Sequence, residues 1–403
     1  MSAGNALSRA RAHAPEAYDA VVLSSFGGPE GQDDVLPFLR NVTKGRGIPD
    51  ERLEEVATHY RANGGVSPIN AQNRALRGAL EAELLGRGMS VPVLWANRNW
   101  SPYVADVLRE CHARGMRRLL VLATSAYSSY SGCRQYREDY GVALEELGLA
   151  GEMQVDKIHQ YYDSEGFVQP FVEGLREGLA QVRGRLGADA GRIAVLFCTH
   201  SIPTTDAEAS GPARMEFEEG SAYVAQHLAV ARTVLERVGP EELGDHTWDL
   251  VYQSRSGPST VPWLEPDVND ALEELAARGG VSGVVLVPLG FVSDHMEVRW
   301  DLDTEALQTC ERLGLPAVRT PTAGTHPAFV AGLADLVEQR IAGRDAPARI
   351  SACAEGTWFD DCAPDCCVKV LRGATGPRPT IAQRPQGEPL PVALDEAGEV
   401  RWS

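Results

Sequence analysis

Short runs of Val, Leu and Ile alternate along the chain with longer stretches in which apolar residues recur every three or four positions. The short runs predict strands at 20–24, 91–95, 118–122, 192–197, 249–252 and 283–287, with a less regular one at 152–158. The longer stretches predict amphipathic helices over 70–85, 102–114, 166–186, 220–238 and 268–277. Continuous apolar strands separated by helices are the pattern of an α/β protein with parallel sheets, because helices cover both faces of such sheets.

Six of the predicted strands run into polar or glycine-rich text: SSFGGPEG, ANRNWSP and ATSAYSSYSG, then FCTHSIP, YQSRSGP and VPLGFVSDH. In open α/β sheets ligands bind beyond the carboxyl ends of the strands. Three such ends before about residue 160 and three after it predict two similar halves facing a shared cleft, although no strict sequence repeat accompanies them.

Composition narrows the function. A chain of 403 residues is long enough for two domains, and 43% apolar with 23% charged residues is the make-up of a soluble globular protein. No stretch approaches the roughly 20 apolar residues that span a bilayer. The polar, Ala/Arg-rich start lacks the apolar core of a secretory signal and is expected to be flexible over residues 1–17. A net charge of −18 argues against a nucleic-acid surface. It leaves room for small anions, and Arg40, Lys44 and Arg46 form one basic patch. Eight cysteines without a signal point to a reducing, cytoplasmic setting and to free thiols or metal ligands.

Two features could carry chemistry. His200, just past a buried-looking strand, is placed to accept or deliver protons at a cleft, or else to cap a loop. In SDHMEVRWDLDTEA, a helix would align Glu297, Asp301 and Glu305 as an acidic stripe, with Arg299 and Trp300 off it. Facing solvent, the stripe is unremarkable. Facing a cleft, it is a path for a hydrated divalent cation.

With the surrounding text, both features resemble the ferrochelatase family. The resemblance runs over about residues 18–340 through SFGGPE, GGVSPIN, NRNWSP, TSAYSSYSGC, FCTHSIP, YQSRSGP and VPLGFVSDHMEV. Within that family the chain looks like the soluble bacterial members that act on coproporphyrin III and carry a [2Fe–2S] cluster. The resemblance implies two Rossmann-like domains, 18–160 and 161–320, flanking a porphyrin cleft, and a helix within 321–348 that returns across them. A Cys-rich segment at 349–370 and a flexible tail at 371–403 would follow. It also implies that His200 abstracts protons and that Glu297 delivers metal or takes a second proton, both touching the substrate Fe(II), with Asp301 and Glu305 continuing the acidic path. Phe26, Arg98, Asn99 and Trp100 would lie near the macrocycle, and Arg46, Ser67 and Tyr130 would hold its propionates. Some soluble relatives have a Tyr where Phe26 stands, and a phenyl ring cannot ligate iron.

Cys353, Cys362, Cys366 and Cys367 lie within fifteen residues of one another. Soft thiolates in such a group bind zinc or an iron–sulfur cluster. The resemblance implies a [2Fe–2S] cluster on Cys133, Cys362, Cys366 and Cys367, with Cys353 as a substitute for one of the last three. A zinc site of the four tail cysteines is the alternative. Cys111, Cys198 and Cys310 are expected in the core. The implied activity is insertion of Fe(II) into coproporphyrin III, with hand-over to a downstream haem-pathway enzyme. Protoporphyrin IX is the alternative substrate, cobalt the alternative metal. A non-catalytic haem or metal-chelate carrier and a cluster-based redox protein are the alternatives of another class.

Overall fold

The computed structural model describes residues 14–45, 47–187, 191–213, 215–257, 260–347, 349–371, 373–382, 391–394 and 400–402. Two four-stranded parallel sheets carry the fold. In the first, β1 (Ala20–Ser25), β2 (Val93–Asn97), β3 (Arg118–Ala123) and β4 (Gln154–Lys157) lie in the order β2-β1-β3-β4. In the second, β5 (Ile193–His200), β6 (His246–Gln253), β7 (Gly283–Val287) and β8 (Ala317–Arg319) lie in the order β6-β5-β7-β8. The opening strand of each half is therefore internal. Val22 pairs with Leu94 and Val121, and Leu196 pairs with Asp249 and Leu286. Burial on both faces explains their unbroken apolar text. The predicted α/β class and all seven predicted strands are present. The eighth, β8, is three residues long and too short to leave a periodic signal.

Helices α1 (Val35–Val42), α2 (Asp50–Ala62) and α3 (Ile69–Gly86) follow β1, α4 (Val104–Ala113) follows β2, and α5 (Gln135–Glu146) follows β3. The long α6 (Glu165–Leu186) joins the halves. In the second half come α7 (Thr204–Glu208), α8 (Ala222–Val238), α9 (Pro240–Leu243), α10 (Val268–Arg278), α11 (Leu307–Arg312) and α12 (Pro327–Ala342). The five predicted helices correspond to α3, α4, α6, α8 and α10. The pattern missed α5 because it buries Arg137 and Glu138 beside Tyr140, so its apolar period is broken by charge.

The two halves share one core. Leu23 and Leu122 of the first sheet, Phe167 and Phe171 of α6, Phe197 of β5 and Phe329 of α12 belong to a single buried cluster. Helices α6 and α12 meet where Gly166 and Gly332 remove both side chains. A Cβ on Gly166 would lie 2.6 Å from the Ala328 carbonyl oxygen and 2.7 Å from Gly332 Cα. Helices α1 and α2 form a separate small pack around Phe38, Leu39, Leu53 and Ala57, against Tyr60 and Trp100.

Of the expected flexible tail, residues 373–382 lie along α5. Ile381 is buried, its amide donates to the Arg137 carbonyl at 3.2 Å, and its own carbonyl accepts from Arg137 Nε at 3.0 Å. Farther on, Pro391–Leu394 and Val400–Trp402 pair as an antiparallel two-stranded sheet. The rest of that segment, and residues 1–13 of the expected flexible start, lie outside the described residues. No helix among the described residues is long and apolar enough to cross a membrane.

Candidate active site

Strand β5 ends at His200, and the chain leaving β7 passes directly alongside. Gly290 permits this approach, since a Cβ there would sit 2.2 Å from Thr199 Oγ1. The result brings His200 Nε2 to 3.5 Å from Glu297 Oε2, although 97 positions separate the two residues. His200 Nδ1 donates to the Ser201 carbonyl, so in the neutral ring Nε2 carries the lone pair. A lone pair facing a carboxylate is repulsive until a proton or a metal cation stands between them. The backbone beneath is pinned. Tyr223 Oη donates to the His200 carbonyl at 2.8 Å, and the Ser201 amide donates to the Gln253 carbonyl at 2.8 Å. Behind the strand, Thr199 Oγ1 meets His227 Nε2 at 2.8 Å, and His227 stacks on Tyr127 with centroids 3.6 Å apart. Burial pushes the His227 imidazole down to about 3, so it stays neutral and structural.

Charge in the site is unevenly shared. Removal from water works against a charged His200, but the Glu297 carboxylate outweighs it and holds the imidazole above its ordinary range. Removal from water also works against a charged Glu297, yet His200, helped by His295, brings it down to about 2. Glu297 is 51% exposed, so water in the cleft softens both shifts. Asp301 behaves in the opposite way. Burial pushes its carboxyl up to about 7, with Glu297 and Glu305 adding repulsion and the Ser254 hydroxyl opposing. One ionised carboxylate, one carboxyl near half-protonation at neutral pH and one imidazole that readily holds a proton thus lie in sequence along the cleft.

The acidic stripe is helical, but beyond Glu297 it is not α-helical, since residues Val298–Ala306 form a π-helix. Such segments often occur at functional sites. Asp301 accepts from Ser254 and from Gln253 Nε2 at 3.2 Å, while Glu305 accepts from Trp300 Nε1 at 2.9 Å. Trp300, expected off the stripe, is thus tied to its last member and stacks on His59 of α2 at 4.1 Å. Sequence reasoning overlooked three neighbours. His295 Nδ1 lies 3.7 Å from Glu297 Oε2, with burial lowering its imidazole. Ser254 adopts the left-handed backbone region at φ 62°. Tyr60 of α2 has its phenol raised by burial and by the charges of Glu297 and Asp301. Only His295 left a signal, two positions before Glu297.

The expected macrocycle contacts differ in how free they are. Phe26 is 38% exposed and meets Phe38 edge-on at 6.3 Å, and Trp100 meets Phe38 at 6.1 Å. Asn99 and Ser67 are buried beside them, and Asn99 Nδ2 has no partner among the described residues. Arg98 is buried in an ion pair, Nε to Asp139 Oδ2 at 2.6 Å, and lies over the Tyr136 ring. Tyr130 Oη donates to Glu138 Oε2 at 3.0 Å. Protein partners therefore engage Arg98 and Tyr130. Arg40 pairs with Asp50, and Arg46 lies outside the described residues. A separate cavity of about 630 Å³ involves Asp294, Asp303 and Arg319, whose charges are mutually paired.

The cysteines divide cleanly. Cys111, Cys198 and Cys310 are core residues. Cys353 bonds to Thr233 and lies near Tyr127 and Tyr162. Cys133 and Cys366 both hydrogen-bond to Cys362, and Cys366 Sγ lies 3.8 Å from Cys367 Sγ. Donation from Cys133 and then from Cys366 holds the Cys362 thiol well below its usual range. The Cys367 amide donates to the Gly211 carbonyl at 3.0 Å, and the Gly211 amide donates to Cys367 Sγ at 3.1 Å. Among the described residues no three His, Cys, Asp or Glu are grouped so as to hold a single ion. The four sulfurs instead form a chain of contacts, which suits ligands divided between two metal centres. Buried Arg137 and Lys157 flank this set, supplying the positive charge that thiolates would need. The donor set fits an anionic iron–sulfur cluster.

Comparison with known proteins places the chain among close relatives. The chain is 57% identical over 366 residues to coproporphyrin III ferrochelatase of Leifsonia xyli subsp. xyli, covering 89% of this chain and 93% of that one. It is 53% identical over 370 residues to coproporphyrin III ferrochelatase of Streptomyces coelicolor, covering 91% and 96%. Among solved structures, SirB from Bacillus subtilis with Fe3+ covers 80% of this chain and 96% of its own at 10% identity, with a TM-score of 0.44. The ferrochelatase family profile matches residues 18–341, a span that contains both sheets, His200 and the acidic π-helix, and the chain belongs to the ferrochelatase family.

Proposed function

We propose that this protein inserts Fe(II) into coproporphyrin III, releasing two protons and leaving an iron porphyrin for a downstream haem-pathway enzyme. Relatives more than half identical over nearly the whole chain bear that substrate in their names, which favours it over protoporphyrin IX and over a non-catalytic carrier. The observation that carries the mechanism is the opposed pair His200 Nε2, at the end of β5, and Glu297 Oε2, at the start of the π-helix, 3.5 Å apart. His200 presents the lone pair that takes a pyrrole proton, and Glu297, ionised well into acid, draws that proton or the incoming cation. Asp301, near half-protonation at neutral pH, exchanges a proton for iron, and Glu305 begins the path. Phe26, Trp100 and Asn99 form the wall at which the macrocycle lies, with Phe26 offering a face but no axial ligand. Binding energy from the ring edge can be used to bend the macrocycle so that its nitrogens meet the metal.

Cys133, Cys362, Cys366 and Cys367 would hold a [2Fe–2S] cluster, with Cys353 left to the core. When bound, such a cluster supplies one-electron redox capacity and a negatively charged core. A reducing, cytoplasmic setting would keep these cysteines available as cluster ligands.

Anaerobic incubation with ferrous iron and each porphyrin, followed by metalloporphyrin absorbance, tests the proposal. Coproporphyrin III should turn over well ahead of protoporphyrin IX. His200→Ala should lose about 100- to 10,000-fold in rate, the range for removal of a general base. Tight porphyrin binding without metal insertion would overturn the enzymatic reading.

A further inference from the structure

Two arginines of the same stretch meet opposite fates. Arg134 is 2% exposed and engaged through Nε and Nη1. Its Nε lies 2.8 Å from Glu138 Oε1, and its Nη1 donates to the carbonyls of Pro364 at 2.8 Å and Cys366 at 3.2 Å. Arg137 is 1% exposed, and only its Nε is satisfied, by the Ile381 carbonyl. Both Nη1 and Nη2 are buried without a hydrogen-bond partner. The charges acting most strongly on this guanidinium are the sulfurs of Cys362, Cys133, Cys366 and Cys367, and no carboxylate stands among them.

Lys157, at the end of β4, repeats the theme. It is 5% exposed, donates two hydrogen bonds, to the Ile158 carbonyl at 2.8 Å and to Gln160 Oε1 at 2.6 Å, and acts on Cys133 and Cys362. An ammonium carries three donors, so one is left over. A buried cation without an anion is among the least tolerated features of a protein interior. Here two of them share one neighbourhood, and both act on the same thiol set.

We propose that Arg137, with Lys157, is a positioning residue for an anionic iron–sulfur cluster on these four cysteines, donating Nη hydrogen bonds to sulfur and offsetting the cluster's charge. This inference rests on the reading that the four cysteines carry such a cluster. Four thiolates and two sulfides around two ferric ions leave a net charge of about −2, and one-electron reduction makes it about −3. Fixed positive charge and hydrogen bonds to sulfur stabilise the more negative state more, so they raise the reduction potential. The same contacts lower the tendency of sulfur to leave. Arg137 also links the cysteine set to the segment ending at Ala382, because Ile381 is bonded to it in both directions.

The test compares full-length wild type with Arg137→Met, Arg137→Lys and Lys157→Met, all purified anaerobically. Iron, zinc and acid-labile sulfide are counted, and visible absorbance is followed during dithionite titration with dye mediators. Wild type should hold two irons and two sulfides. Arg137→Met and Lys157→Met should titrate at more negative midpoints and bleach several-fold faster in a chelator. Arg137→Lys, which restores the charge but not the paired donors, should recover part of both losses. A loaded wild type with every variant at its midpoint and bleaching rate would overturn the inference while leaving the cluster reading intact. If circular dichroism shows Arg137→Met unfolded, the other two variants decide on the same criterion. Zinc in place of iron and sulfide in the wild type would overturn the cluster reading, and this inference with it.

Discussion

His200 and Glu297 constrain one another's protonation, and this coupling has a sign that kinetics can read. Glu297 raises the imidazole against the effect of burial, so His200 stays protonated, and unable to act as a base, to a higher pH than an isolated histidine would. In Glu297→Gln the two largest raising influences are lost, and burial is opposed only by the Ser201 carbonyl and Asp301. The acidic limb of kcat/KM should therefore move to lower pH, even as the rate falls. A limb that stays put or moves up would uncouple the two residues. Both were legible in the sequence because each stands in distinctive text, His200 at the end of β5 and Glu297 in the segment that follows β7. Ser254 and Tyr60 were not legible. Tyr60 reaches the site from α2, and nothing in the local text of a helix says which distant carboxylate it will face. The engagement of Arg98 by Asp139 was equally hidden, since it depends on where α5 packs.

At the scale of elements, the most demanding contact is the crossing of α6 and α12. Gly166→Ala would place a methyl 2.6 Å from a backbone carbonyl oxygen, where no side chain can yield. It should destabilise the protein by about 1–3 kcal/mol, as overpacking does elsewhere, with a lowered thermal midpoint by calorimetry. An unchanged midpoint would mean that the helices can separate freely. Strands were read well because burial on both faces leaves uninterrupted apolar text. Helices with one dry face were read well too. Escaping notice were α5, whose buried charges break its period, and the π-helical geometry of Val298–Ala306, which shares its residue types with an α-helix. The paired helices α1 and α2 left little trace because they bury only a small core of their own.

The whole molecule is more unified than two repeated sheets suggest. One core runs from Leu23 through α6 to Phe197 and Phe329, and Tyr127 of the first half stacks on His227 of the second. Scanning calorimetry should therefore give a single endotherm, and two separated ones would show that the halves melt independently. The two-lobed architecture was legible from the strand ends, whereas this continuity was not, because no local pattern says which side chains of the two halves will meet. The cysteine set adds a matter of timing. Arg134 contacts Pro364, 230 positions later, and Cys133 waits a similar distance for its sulfur neighbours. At translation rates of roughly 5–20 residues per second, the first half emerges from the ribosome about 10–50 s before those neighbours exist. For that interval a thiol and two cations destined for the interior have no counterpart. The first sheet can begin to form on the ribosome, but the electrostatics around Cys133 can be completed only after the C-terminal cysteines have been made.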